Sequence, residues 1–244
     1  MLQQTKAIVL KTVNFGETSL IVQAFTEVFG LQSYLVKGAR STGKKGQSLR
    51  PYLQPGAILD LVAYHQEEKN LQYIREMRWH KVYQKVFSSV LHHGVAIFMI
   101  ELMGKCIRQT EPNKVLFDMA ELYLVLLDEA DPSVVANLPL HFAFSLADEL
   151  GFRPDGQYSF TQNILDLREG KFTGEWPQHN DSISGKAAQL AHELLQTGHP
   201  VTLYRIKMNR EQRRELLEAV ETYFTLHVDG FGRMQSLEVL TAIF

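Results

Sequence analysis

Cysteine is nearly absent from this chain. Cys106 is the only one among 244 residues, so no internal disulfide can form and no multi-cysteine zinc site can be assembled. It stands among apolar residues at helical spacing, Phe98, Leu102, Met103 and Ile107, which marks a buried, inert thiol rather than a nucleophile. Long apolar runs are missing too. The longest, residues 95–103, is broken by Glu101 and falls short of the roughly 18 uninterrupted residues of a membrane span. The opening MLQQTKAIVLK lacks the charged-then-apolar order of a secretory signal. The expectation is a cytoplasmic protein with no membrane partner.

Catalytic signatures are equally scarce. There is no G-x-S-x-G, so a serine-nucleophile elbow has no support. None of the nine histidines forms H-E-x-x-H or a facing pair one helical turn apart, and the adjacent His92 and His93 would point about 100° apart on a helix. Gly38-Ala39-Arg40-Ser41-Thr42-Gly43-Lys44 opens like a phosphate-binding loop, but Lys45 stands where a hydroxyl must hold magnesium. Pro51, Pro55 and Gly56 leave little room for the helix such a loop requires. Gly230-Phe231-Gly232 lacks the third glycine of a dinucleotide fingerprint, and Glu67-Glu68 sit in a turn beside Lys69. The chain reads as non-enzymatic, with no catalytic residue, no cofactor and no metal.

Acidic residues are missing from one long stretch. Between Glu27 and Asp60 there is neither Asp nor Glu, while Lys37, Arg40, Lys44, Lys45 and Arg50 supply five cations. The whole chain is nearly neutral, at −2, yet the charge is unevenly spread. Residues 1–78 carry ten Lys/Arg against six Asp/Glu, and residues 79–244 carry fifteen against twenty-one. A basic front on an acidic body predicts two parts with different partners. A glycine-rich cationic loop can follow a phosphate backbone and release its counterions; the competing reading is a solvated charged loop. Tyr34 and Tyr52 flank the loop and, if exposed, could each stack a base. Arg75 and Arg78, followed by Lys81 and Lys85, could extend the same surface. Arg205, Lys207, Arg210, Arg213 and Arg214 lie among Glu211, Glu215 and Glu218, a spacing that fits a solvated, paired helix face.

The apolar pattern divides the chain similarly. Residues 7–13, 19–25, 33–36, 58–65 and 71–77 read as five short strands, with Tyr73 and Arg75 on one face of the last. Residues 37–56 hold four Gly and two Pro, so they cannot be regular throughout. From residue 82 onward the period becomes helical. Helices are predicted over 82–107, 113–130, 134–150, 184–197, 209–227 and 237–244, with Pro139 giving the third a kink or a late start. Asn209 and Gln212 have capping-pair spacing, and Gly151 stands at a C′ position. Residues 152–181 are irregular, with a hairpin near 165–172. The fold class is α+β: residues 1–78 form a five-stranded β-barrel of the oligonucleotide-binding (OB) type, and residues 79–244 a mostly α-helical domain.

The residues resemble a known family. Ala7-Ile8-Val9-Leu10-Lys11, Gly16-Glu17-Thr18-Ser19-Leu20-Ile21-Val22, Phe25-Thr26, Gly30 and Lys37-Gly38-Ala39-Arg40 are similar to the bacterial RecO recombination and repair proteins. The likeness continues through Leu150-Gly151-Phe152, Pro154 and the helix from Arg214 to Tyr223 and His227. It implies an OB barrel and a helical domain that bind single- and double-stranded DNA. It implies strand annealing, help in loading the recombinase, and two partners: RecR and the acidic C-terminal tail of the single-stranded-DNA-binding protein. The sequence departs from the pattern twice. Many members hold zinc with four cysteines after the Leu-Gly-Phe segment, and residues 152–181 contain none; Tyr158, Phe160, Phe172 and Trp176 are the candidates for a small apolar core there. His141 stands where many members carry an arginine that meets the partner's tail, and is the partner-binding candidate. Without the resemblance, an RNA-binding barrel or a protein-interaction scaffold fits the same residues.

Overall fold

The computed structural model describes residues 1–41, 49–66, 68–108 and 110–244. Five strands form a closed barrel: β1 (Leu2–Phe15), β2 (Ser19–Thr26), β3 (Gly30–Val36), β4 (Ile58–Tyr64) and β5 (Gln72–Trp79). Their order around the barrel is β1-β2-β3-β5-β4, and only β3 and β5 pair in parallel. β1 is long enough to serve both neighbours. Its first half pairs with β4 and most of its length with β2, with a register shift between Val9 and Lys11 where it bends. This is the OB-type architecture predicted from the sequence, followed by a helical region.

The chain divides into two compact units. The first is Met1–Gln84 with Met103–Val125, the second Lys85–Leu102 with Leu126–Phe244. Met103–Val125, which includes the start of α2 (Lys114–Glu129), thus groups with the barrel. Its contact is visible in β1, where Ala7, Ile8, Val9 and Leu10 are all buried. A half-exposed strand would alternate; burial on both faces means both are covered. Ala7 and Val9 pair with Thr26 and Ala24, and this face fills the barrel. Ile8 pairs with Phe25 on the other face, and the Phe25 ring lies 5.8 Å from that of Phe117. Phe117 belongs to helix α2 (Lys114–Glu129).

The second unit is built around α4 (Leu138–Glu149), whose first seven residues are all buried. It packs against α5 (Gly185–Leu195) and α6 (Arg210–His227). The capping box predicted at Asn209 and Gln212 is present in full. Helix α1 (Val90–Cys106) starts later than periodicity predicts. The amides of Lys85 and Val86 donate to one Asp128 carboxylate oxygen, which holds residues 85–89 in turns. The helix predicted over 134–150 is split into α3 (Pro132–Val135) and α4, with Pro139 in the first turn of α4. At the C-terminal end, the Glu101 carboxylate accepts from the amides of Gln235 and Ser236 and so caps α7 (Gln235–Ile243).

Residues 152–181 contain the expected hairpin but not the expected aromatic core. They contribute β6 (Ile164–Asp166) and β7 (Lys171–Thr173), which join β8 (Ser182–Ser184) in a sheet ordered β7-β6-β8. Phe172 is buried, but Phe160 is 96% and Trp176 70% exposed, so these two do not form the expected apolar core. Ile164, Leu165, Leu167 and Ile183 are buried instead, and the Asp166 carboxylate accepts from the amides of Arg168 and Glu169. Among the described residues, no helix is long and apolar enough to cross a membrane, and no three His, Cys, Asp or Glu side chains gather as metal ligands.

Candidate nucleic-acid interface

Strand pairing fixes which side chains share the outer surface of the barrel, because directly opposed residues lie on one face. Val13 pairs with Ile21, Ile21 with Leu35, Leu35 with Tyr73, Tyr73 with Tyr64, and Tyr64 with Leu2. The row runs through every strand, on the same face as Phe25. Phe117 covers that face at Phe25, yet Val13, Tyr64, Tyr73 and Leu2 remain 48%, 48%, 42% and 43% exposed. Leu35, in the middle of the row, is buried, so the open part is Tyr73, Tyr64 and Leu2, a contiguous exposed patch of the kind that marks a binding surface.

Two of the expected cations flank this row. Lys37 follows directly on β3 and is exposed; its Nζ lies 5.6 Å from the centroid of the Tyr73 ring. Arg75 is the extra residue of a β-bulge, since Ala63 opposes Ile74 and Val62 opposes Glu76. The bulge leaves Arg75 and Glu76 both outward, more than half exposed and 3.5 Å apart. Among the described residues Lys37 makes no ion pair. The Arg40 amide donates to Thr18 O, and its guanidinium reaches Gly16 O at 3.4 Å, which fastens the Lys37-Gly38-Ala39-Arg40 turn beneath the β1–β2 hairpin. Arg50 is exposed and opens a 3-10 turn, Arg50–Leu53. Lys44 and Lys45 lie outside the described residues.

Arg78 belongs to a different arrangement. It is 82% exposed and pairs with Asp60 at 3.0 Å. Asp60 and Glu121 also flank His80, each 2.9 Å from one of its ring nitrogens, and Lys6 closes the chain on Glu121. An open groove of 440 Å³ beside this network is lined by Lys6, Asp60, Glu76 and Arg78. With both signs represented, it offers a polyanion little.

Two aromatic expectations change. Tyr34 pairs with Val22 on the inward face of β3 and is 1% exposed, so it stacks no base; burial pushes its phenol pKa up. Tyr52 is half-buried and stacks on Trp79 with centroids 4.9 Å apart, which occupies one ring face. The exposed rings on the barrel strands are Phe15, Tyr64 and Tyr73, none of which the sequence reading selected. A signal existed in the alternation that puts Tyr73 on the face of Arg75.

His141 is corrected as well. It is 4% exposed, and its Nε2 lies 2.8 Å from Thr197 O, so it presents no charge to a partner's tail. Burial holds its pKa below the ordinary imidazole value, outweighing the hydrogen bond to Thr197, which raises it. The folded state therefore takes up a proton at lower pH than the unfolded chain. The stabilisation is complete above about pH 6.5 and drains away as pH falls through the folded value. We expect the urea midpoint to drop between pH 7.5 and 5.5, with a shallower drop in His141→Gln, whose amide can still donate to Thr197. An equal drop in both would remove His141 from the account.

The third basic cluster is engaged locally. Arg214 pairs with Glu218 at 2.9 Å, and Arg213 lies over Phe244 at 5.1 Å and reaches Asn137 Oδ1. Arg205 lies over the Tyr204 ring. Lys207 and Arg210 are exposed on this cluster.

Comparison with known proteins gives one consistent result. Residues 1–83 match a family model described as Recombination protein O N terminal, and residues 92–237 one described as Recombination protein O C terminal. The DNA repair protein RecO of Christiangramia forsetii is 32% identical over 244 residues, covering the whole of both chains. That of Flavobacterium psychrophilum is 30% identical over 247 residues, 99% of this chain and 98% of the relative. That of Azobacteroides pseudotrichonymphae is 25% identical over 244 residues, again the whole of both.

Proposed function

Because the chain belongs to the RecO family of DNA repair proteins, we propose that it acts in repair as a recombination mediator without catalysis of its own. It binds single- and double-stranded DNA through phosphate contacts, anneals complementary strands and assists recombinase loading. RecR and the tail of the single-stranded-DNA-binding protein are the partners the family resemblance implies. The observation that carries this reading is the placement of Lys37 and Arg75 beside the exposed Tyr73 on the outer face of a closed OB-type barrel. The strands and loops of such a barrel are where oligonucleotides bind.

The mechanism needs no bond-making step. Two strands approaching each other repel through their phosphates. Cations that replace condensed counterions on both backbones lower that repulsion, and the released ions supply the free energy. Cations near the encounter also raise the on-rate. Contacts of this kind carry little base preference, as annealing of arbitrary sequences requires.

Fluorescence anisotropy with labelled oligonucleotides tests the reading. Single-strand affinity should fall about 50-fold between 50 and 200 mM salt for about four phosphate contacts. Failure to bind any oligonucleotide at about 50 mM salt, where such contacts are near their strongest, would leave a protein-interaction scaffold as the better reading. A strong preference for RNA over DNA of one sequence would favour an RNA-binding role.

A further inference from the structure

The two rings opposed at the β4–β5 pairing have an unusual environment for exposed tyrosines. Tyr64 and Tyr73 face each other directly across the two strands, which sets their Cβ atoms about 5 Å apart. Neither ring stacks on another aromatic, and neither hydroxyl makes a hydrogen bond, among the described residues. Two other tyrosines are tethered: Tyr83 donates to Gly56 O and Tyr223 to Phe152 O. A buried tyrosine hydroxyl usually finds such a partner; the hydroxyls of the half-exposed Tyr64 and Tyr73 are left to solvent or a ligand. A cation, Lys37 Nζ, lies over the Tyr73 ring.

We propose that Tyr64 and Tyr73 form a stacking platform for two successive unpaired bases of a nucleic-acid strand, with Lys37 and Arg75 holding the phosphates beside them. This rests on the DNA-binding reading above and adds a subsite that distinguishes unpaired from paired strands. The spacing suits it. Adjacent bases are about 3.4 Å apart in a stacked strand and farther apart when the backbone is stretched, so cross-strand neighbours can each take one base. A duplex keeps its bases stacked on one another and offers these rings only its backbone. Stacking on tyrosine is tolerant of sequence because every base has a π-face.

Charge favours a nucleic acid over a protein as the occupant. The exposed Tyr73 ring has Lys37 on one side and Arg75 two residues along its own strand, and residues 28–59 contain no carboxylate side chain. The nearest acid along β5, Glu76, is already 3.5 Å from Arg75.

The test is a set of anisotropy titrations with the full chain on three probes: a DNA single strand, the same strand with abasic sites, and the matching duplex. The double variant Tyr64→Ala with Tyr73→Ala should bind the intact single strand at least about 30-fold more weakly than the parent. It should bind the duplex and the abasic strand within about twofold of the parent. Tyr64→Phe with Tyr73→Phe should match the parent on all three, since stacking needs the ring and not the hydroxyl. Unchanged single-strand affinity in the alanine variant would overturn the proposal. So would an equal loss on all three probes, which would mean the rings support the barrel rather than the bases. A parent that binds none of the probes at about 50 mM salt would instead sink the DNA-binding reading itself.

Discussion

Valine at position 30 should lower the unfolding free energy by about 3–5 kcal/mol, much of the stability of an ordinary domain. Gly30 begins β3 with φ at +59°, and a Cβ added there would lie 2.3 Å from Glu111 O and 2.7 Å from Thr110 C. Both are backbone atoms, so no side chain can rotate away. Left-handed backbone alone costs a non-glycine residue about 1–2 kcal/mol; the overlap adds the rest by forcing residues 110–111 off the barrel. Gly16 supplies the comparison. Its φ is +57°, but a Cβ there would meet nothing within 4 Å, so Gly16→Ala should cost only the backbone component. Trp79 lies in the barrel and Trp176 in the other unit, so fluorescence in a Trp176→Phe background reports the barrel alone during urea unfolding. Equal losses in Gly30→Val and Gly16→Ala would show that the Gly30–Glu111 contact contributes nothing.

That contact also shows where sequence reading ends. Pro112 marks the chain break after Glu111, but no local pattern says that this break meets the β2–β3 turn. The five strands were legible because alternation is a local signal, and the barrel type followed from their number and basic loop. What alternation cannot supply is register. Tyr34 looked like a loop-flanking aromatic, yet its pairing with Val22 turns it inward; a slip of one residue would have turned it out. The bulge at Arg75 had the same effect. Strict alternation would put Met77 on the face of Tyr73 and Arg75, but the extra residue returns it to the inward side, paired with Leu61. Helical periodicity likewise shows that Phe117 lies on a buried face, but not that the face packs on Phe25. The cations of the interface were legible individually, because the lack of acids over residues 28–59 is a property of composition. The ring they surround was not, because Tyr73 meets Leu35 only through the parallel pairing of β3 with β5, strands separated by some forty residues.

Reversing Lys37, Lys44 and Lys45 to glutamate should weaken single-strand binding about 1,000-fold at 50 mM salt. Each phosphate contact on a single strand contributes about 0.7 to the slope of log affinity against log salt. At 50 mM that amounts to about one decade per contact, so three lost contacts remove about three decades and lower the slope by about 2. Repulsion from the new carboxylates acts in the same direction. Lys207→Glu with Arg210→Glu is the control, since these cations are exposed on the second unit and should change affinity no more than about twofold. A comparable loss in the control would move the phosphate contacts off the barrel. The slope also separates the two components of binding. Charge reversal changes both affinity and its salt dependence, whereas loss of the Tyr64 and Tyr73 rings should lower affinity by the same factor at every salt concentration, because stacking releases no counterions. Two variants that shift the plot in these different ways would establish that the backbone is held by charge and the bases by contact; their combination should depart from additivity, because Lys37 lies beside the Tyr73 ring.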